Sequence, residues 1–505
     1  MSNPLHDALF APHEGRDTPF LHLADGQTLT HAAFLARAGQ MANALAAAGV
    51  APGDRVAVHI AKSAEALALY AACILAGAVF LPLNTAYTPA ELDYFVGDSG
   101  AVLFVCDPAE APAMPPIAAK AGCALHTIGA DGRGSFSDLA DAQDSAFAPA
   151  PRTEDDIAAL LYTSGTTGRS KGAMLTHRNL VSNAQALVEI WRFTADDVLL
   201  HALPIFHAHG LFVATNVMLL SGGAMIFLPK FELESVLAAL PRATTMMGVP
   251  TFYTRLLDDP RFDRDLTSGM RLFISGSAPL LAETHRAFED RTGHRILERY
   301  GMTETSMNTS NPYEGERRAG TVGFPLPGVE VKVCDPETGA PLPQGETGVL
   351  YVRGPNVFKG YWRMPEKTAQ ELLPDGFLIT GDIARIDADG YVTIVGRSKD
   401  LIISGGYNIY PKEIELFLDD LPGVLESAVI GAPHPDFGES VIAVLVPQKG
   451  ATLDLPAIEA AVKADLAGFK RPGRYVVLDE LPRNTMGKVQ KNALREAYAD
   501  SFVTA

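Results

Sequence analysis

Between Leu160 and His177 the chain reads LLYTSGTTGRSKGAMLTH, a loop of small and hydroxyl residues that ends on a lysine. Gly165, Gly168 and Gly172 let backbone N–H groups turn toward one point. Ser164, Thr166, Thr167 and Ser170 add hydroxyl donors around that point, and Lys171 adds a mobile positive charge. This is the chemistry of a phosphate cradle. It is not the nucleotide-hydrolase loop G-x-x-x-x-G-K-[ST], because Ser170 stands where the second glycine is needed and Gly172 follows Lys171 where that pattern needs Ser or Thr. Apolar runs enter and leave the loop, so it is anchored at the rim of a sheet, between two strands or between a strand and a helix.

The elements that must hold such a loop are legible around it. From Asp54 onward, β-rich runs such as RVAVHI and AVLFVCD alternate with Ala-rich helical stretches, the pattern of a parallel sheet covered on both faces. Thr176 is placed to cap a helix running through LVSNAQALVEIW. The uncharged stretch from Ala66 to Leu83 is broken by Gly77 and Pro82 and reads as a buried helix followed by a strand, not a membrane span. Residues 107–118, rich in Pro and Ala, read as a surface loop. Between Val329 and Val395 the texture changes to strands and tight turns, with a hairpin across Ala388-Asp389-Gly390, so a barrel or antiparallel sheet is expected there. Helix–strand alternation then resumes on a smaller scale.

Composition bounds the function. The chain has 505 residues, enough for two or more domains, with 47% hydrophobic and 20% charged residues. Its net charge of −18 argues against a general nucleic-acid or anionic-membrane binder, while leaving room for a local basic pocket. The four cysteines, Cys73, Cys106, Cys123 and Cys334, have neither metal-ligand spacing nor a disulfide framework. The N-terminus lacks the charged and apolar segments of a secretory signal, and a cytoplasmic location is expected.

Seven motifs in order carry a resemblance: YTSGTTGRSKG at 162–172, PIFHAHG at 204–210, SGSAPL at 275–280, ERYGMTET at 298–305, TGD at 380–382, GRSKDLIISGGYNIYPKEIE at 396–415 and PRNTMGK at 482–488. Together they resemble the signatures of the adenylate-forming superfamily, which contains acyl-CoA synthetases, adenylation domains of peptide synthetases and luciferases. The resemblance implies an α/β fold. A large N-terminal domain (1–396), with parallel sheets and a β-barrel-like part, would be joined by a hinge (397–400) to a small mobile α+β domain (401–505). It also implies a two-step reaction. A carboxylate is activated by ATP to an acyl adenylate with release of pyrophosphate, then passed to a thiol, with ATP, Mg²⁺ and coenzyme A required.

Site residues follow by resemblance. Thr163, Ser164, Gly165, Thr166, Thr167, Gly168 and Lys171 would hold the β- and γ-phosphates. Ser277, Ala278, Pro279, Glu298, Tyr300, Gly301 and Met302 would surround the nucleotide, with Tyr300 on adenine. Asp382 and Arg397 would reach the ribose, Thr303 the α-phosphate, and Glu304 with Thr167 the metal; His207 is the motif histidine. Two unit charges 4 Å apart repel by roughly 4 kcal/mol at an effective dielectric of 20, so the anionic acid needs a cation beside the α-phosphate. Lys488 matches the family's catalytic lysine. Lys399 matches the hinge, and Gly405, Gly406 and Tyr407 would line the pantetheine tunnel. The segment from Pro482 to Lys488 is similar to one acetylated in bacterial relatives, so a protein acetyltransferase and deacetylase acting on Lys488 are expected partners.

The acyl pocket departs from the commoner pattern, which has a small residue before YGMTE; here it is Arg299. Arg299 with His209 reads as a receptor for a second negative charge, with Arg286 (and Arg255) as further candidates and Met307 as a cap. A buried unpaired carboxylate is costly, so such a pocket favours a short dicarboxylate. The combination resembles malonyl-CoA and methylmalonyl-CoA synthetases, and malonate or methylmalonate is the expected acid. Ligation of another short acid, or loading of a carrier protein, are the alternatives.

Overall fold

Strands such as Val79–Pro82, Leu103–Cys106 and Leu272–Ser275 are apolar throughout except at Ser275, and each is buried in a parallel ladder, as such runs require. In the structure, a computed structural model that describes residues 2–163, 170–404, 407–435, 437–484 and 487–502, these strands form two large sheets. A six-stranded sheet has the order Ala124–Thr127, Leu103–Cys106, Arg55–His59, Val79–Pro82, Ile157–Thr163, Lys171–Thr176. It is parallel except for its last pair, which runs antiparallel. The phosphate-type loop therefore joins two antiparallel strands at the sheet edge. A nine-stranded sheet runs from Phe324–Pro325 to Thr28–Thr30, with the parallel strands Leu297–Met302, Leu272–Ser275, Thr245–Gly248 and Val198–His201 side by side in it.

Local chemistry explains the connections. Helix His177–Trp191 begins where expected: the Thr176 hydroxyl accepts the Asn179 N–H, and the Asn179 side chain accepts the Thr176 N–H. Helix Ala64–Ala76 is buried from Ala66 through Ala76 and stops at Gly77, whose φ of 68° is the left-handed conformation a helix end uses. The strand Val79–Pro82 follows at once. Among the described residues no helix is long and apolar enough to cross a membrane. Residues 107–118 are not a plain loop. They hold the 3₁₀ turn Ala111–Ala113 and the start of helix Pro115–Ala121, where a proline pair at the first helical positions removes only N–H groups that lack partners anyway.

From Glu330 the strands become antiparallel, in the order Glu330–Cys334, Thr347–Arg353, Leu378–Ile386, Val392–Arg397, and the last two form the expected hairpin. Beyond residue 400 a separate sheet forms around Val424–His434 and Gly438–Pro447. Its two faces pack their own apolar clusters, one around Ile402, Ile414 and Val429 and the other around Ile430, Val444 and Leu494. Tyr410 reaches back onto the cluster of Cys334, Val349 and Tyr351.

Thr176→Ala removes the hydroxyl of a buried cap and should lower the stability of the N-terminal part by about 1 kcal/mol. The denaturant midpoint reads this directly, and an unchanged midpoint would mean that the ladder Ile157–Thr163 with Lys171–Thr176 holds the helix start without the cap.

Candidate active site

Strand Leu297–Met302 delivers consecutive side chains to opposite faces, and this period of two sorts its charges. On one face Glu298 is buried, with His285 Nδ1 at 3.5 Å and the Gly320 N–H donating at 3.2 Å. Burial raises its pKa. On the other face Arg299 is 4% exposed, and its Nε and Nη2 find no hydrogen-bond partner among the described residues. Its guanidinium lies against the backbone of Gly276, where an added Cβ would come within 2.3 Å of Cζ, so only glycine fits there. Burial pushes its pKa down to about 9, still above neutrality, so the group stays charged.

Next to Gly276, Ser277 adopts φ of 70°, a left-handed conformation rare for a side-chain residue. Its hydroxyl is hydrogen bonded to His209 Nδ1 at 3.1 Å. His209 is buried, its Nε2 is unpaired, and burial with the neighbouring Arg299 cation holds its pKa well below the usual histidine value. His207 Nε2 is also buried and unpaired, and burial followed by the Lys488 charge takes its pKa down to about 4. Met307 is buried on the neighbouring strand opposite Gly301, its methyl close against that glycine.

An acidic half faces this basic one. The turn after Leu297–Met302 carries Thr303, half-buried, and Glu304, buried. Glu304 Oε1 is 2.9 Å from the Tyr361 hydroxyl, which is also 2.6 Å from Glu371 Oε2. One phenolic proton cannot serve both carboxylates. Glu371 is neutralised by Lys367 and Lys171, at 2.8 and 3.3 Å, whereas burial raises the Glu304 pKa. Glu304 is thus an under-neutralised buried oxygen donor, which suits a hard dication. Asp382, 2% exposed, accepts from Arg397 Nε at 2.9 Å and from the Tyr300 hydroxyl.

Lys488 comes to this cleft from the C-terminal part. Its N–H donates to Asn484 Oδ1 at 3.0 Å, and Gly487 before it turns with φ of 73° against Thr251 of helix Pro250–Leu257. The lysine keeps contact with solvent, yet its pKa is lowered, first by desolvation and then by Arg397, with Asp382 and Glu304 opposing. Acids, lysine and basic pocket converge on one cleft.

Residues 10–362 match the model of the AMP-binding enzyme family, and residues 413–488 match the model of the AMP-binding enzyme C-terminal domain. The chain belongs to the AMP-binding enzymes. A feruloyl-CoA synthase of an Amycolatopsis species is 39% identical over 98% of this chain and 98% of that protein. A malonate–CoA ligase of Arabidopsis thaliana is 36% identical over 89% of this chain and 79% of that one. ATP-bound MatB from Rhodopseudomonas palustris, 57% identical, superposes with a TM-score of 0.97 over 99% of this chain and 100% of its own. For apo MatB, at the same identity and coverage, the TM-score is 0.87, so the shape described here is nearer to the ATP-bound form. The protein is therefore an adenylate-forming CoA ligase, a class that uses ATP, CoA and typically Mg²⁺.

Within this AMP-binding enzyme several expected residues fall elsewhere. Arg286 is on the surface of helix Ala282–Thr292, its side chain 62% exposed, and pairs with Asp420 at 3.7 Å. Its polar helix face, THRAFEDR, points it away from the core. Arg255 is likewise exposed. The Glu298 carboxylate is committed to His285 and Gly320. Thr163 closes the loop stalk through the Lys171 carbonyl at 3.4 Å, while Ser164, Gly165, Thr166, Thr167 and Gly168 lie outside the described residues. Ala278 is half-buried and Pro279 exposed after strand Leu272–Ser275; Gly301 and Met302 end their strand half-buried. Lys399 is exposed in the turn Ser398–Asp400, where Arg495 pairs with Asp400 at 2.7 Å. Gly405 and Gly406 lie outside the described residues, and Tyr407 opens strand Tyr407–Ile409. Among the described residues there is no group of three or more metal-binding side chains. Tyr361 and Glu371 were not visible as site residues in the sequence; the aromatic KGYW after a strand was their only signal.

Arg299 spends stability on an unpaired charge. Arg299→Met should raise the denaturant midpoint of the ligand-free protein by an equivalent of about 1–3 kcal/mol. A fall in the midpoint would mean that the guanidinium has a structural partner.

Proposed function

We propose that the enzyme joins malonate or methylmalonate to CoA through an acyl adenylate, releasing AMP and pyrophosphate. The observation that carries this reading is Arg299: a buried cation without a counter-charge, beside the unpaired Nε2 of His209. A distal carboxylate supplies the missing partner, and the side chain's bulk keeps the acid short. The malonate–CoA ligase relative and the 57% identity to MatB favour it, while the feruloyl-CoA synthase relative names an aryl acid with one carboxylate.

In the first step a carboxylate oxygen attacks the α-phosphorus and pyrophosphate leaves. Lys488 supplies the cation between the two anions. Asp382, an acceptor oriented by Tyr300 and Arg397, suits the ribose hydroxyls. Glu304 would hold Mg²⁺, which when bound neutralises phosphate charge, and by resemblance Thr167 would join it. The loop 163–171 binds the departing phosphates. In the second step the CoA sulfur attacks the acyl carbon and AMP leaves. We assign the hinge to 397–400, centred on Lys399, with the C-terminal domain turning to remove Lys488 and bring Gly405, Gly406 and Tyr407 to the thiol path.

ATP–pyrophosphate exchange with malonate and methylmalonate, set against acetate, hexanoate and succinate, tests the reading. Exchange confined to the two short dicarboxylates is expected, and exchange driven best by acetate or hexanoate would overturn the acid. Arg299→Gly should abolish malonate-dependent exchange while leaving ATP affinity within about twofold, a ratio far below the several kcal/mol at stake in an unpaired carboxylate. Lys488→Ala should lower exchange by about 10²–10³-fold yet spare thioester formation from supplied acyl adenylate. Equal loss of both half-reactions would contradict separate use of the two domain positions.

A further inference from the structure

Lys62 follows strand Arg55–His59 of the six-stranded sheet and reaches across to His201, the last residue of strand Val198–His201 in the nine-stranded sheet. Its Nζ donates to His201 Nδ1 at 2.8 Å and to the His201 carbonyl at 2.8 Å. The Phe227 ring faces the ammonium at 4.2 Å, and among the described residues no carboxylate pairs with it. With Nδ1 accepting, the neutral His201 ring carries its proton on Nε2, which donates to the Gly210 carbonyl at 2.8 Å. The Thr215 hydroxyl donates to the same carbonyl at 3.0 Å.

Gly210 lies at the start of the π-helix His209–Thr215, a wide turn of the kind often found at functional sites. An added Cβ at Gly210 would meet the Pro204 carbonyl oxygen at 2.0 Å, so the turn has no slack on its other side. Between Pro204 and Gly210 stand His207 and His209. The path is short and directional: a lysine sets a tautomer, the tautomer sets a carbonyl, and the carbonyl sets the turn that aims His209.

We propose that Lys62 is a positioning residue that determines specificity for the acid: by fixing His201 as the Nε2–H tautomer it locks the His207–Gly210 turn and holds His209 against Ser277, facing the distal charge of the substrate. The proposal rests on the pocket reading given above. A methionine at position 62 keeps the stem and removes both donors, leaving His201 Nδ1 bare and free to take the proton, whereupon the Gly210 carbonyl loses the ring donor and keeps only the Thr215 hydroxyl.

Steady-state kinetics of Lys62→Met should therefore show the KM for malonate raised on the order of tenfold, with the KM for ATP within about twofold, a loss below the roughly 10²-fold that misplacement by a full ångström can cause. Lys62→Arg, which keeps the donors, should recover most of the loss. Nitrogen-15 spectra of histidine-labelled protein, with His201 assigned through His201→Gln, should show Nε2–H in the wild type and its loss in Lys62→Met. Proportional loss toward malonate and ATP, an unchanged malonate KM, or an Nδ1–H His201 in the wild type would each overturn the proposal; the last needs no variant to fold. Failure of the pocket reading is distinguishable, because the wild type would then show no malonate exchange while the tautomer still reports on the brace.

Discussion

A positive charge with no partner among the described residues, enclosed on strand Leu297–Met302, is the constraint around which the site is arranged. Removing an ion from water costs several kcal/mol even after the surroundings relax, and Arg299 recovers little of it inside the protein. The fold tolerates this because the neighbouring acid is turned away: Glu298, one residue earlier, is on the opposite face of the strand and is consumed by His285 and Gly320. Gly276 completes the arrangement by letting the guanidinium lie on bare backbone. On the proposed reading, any acid close enough to relieve Arg299 would also occupy the place of the substrate.

The opposite side of the cleft has the complementary deficit. Glu304 and Asp382 are both buried, and each is approached by a tyrosine hydroxyl, from Tyr361 and Tyr300 respectively. A hydroxyl orients a carboxylate without cancelling its charge, so Glu304 keeps the capacity to bind a cation, while Asp382, paired with Arg397, keeps lone pairs for hydroxyl groups. Lys171 is drawn into the same chain, 3.3 Å from Glu371 and 4.1 Å above the Tyr361 ring. The stalk of the loop is thereby linked to Glu304 through one tyrosine. Lys488 arrives from the other domain as the cation that balances both acids, so the electrostatics of the cleft depend on where that domain stands.

What the sequence made legible was local. The cap at Thr176, the helix stop at Gly77 and the hairpin before Tyr391 each depend on two or three adjacent residues, and each was read correctly. The motif residues Asp382, Glu304, Tyr300 and Lys488 do converge on one cleft. Arg286 was misjudged as a pocket candidate although its polar helix face argued for the surface where it lies. Residues 107–118 were read as a loop because proline suggests irregularity, whereas two prolines in a helix's first turn are well placed. Tyr361 leaves only the faint aromatic signal of KGYW in the sequence, and Lys62 leaves none. Their partners are 57 and 139 residues away, and no periodicity encodes a contact between sheets that only the folded chain brings together.

The histidines of HALPIFHAHG show how charge and shape divide the work of recognition. His201, His207 and His209 each have a pKa pushed down, by burial first and by Lys62, Lys488 and Arg299 in turn. Surrounded by cations, they remain neutral near pH 7 and act as directed dipoles. On the proposed reading, the net attraction for an acid's second charge would fall to Arg299, while the histidines would fix where hydrogen bonds can form. A neutral acyl tail would leave that cation unpaired and these ring nitrogens unmet, whereas a short dianion would satisfy both. On that reading, the same cations that hold the histidines neutral would make the pocket sensitive to charge, and discrimination would arise from polar groups left unsatisfied when the wrong acid binds.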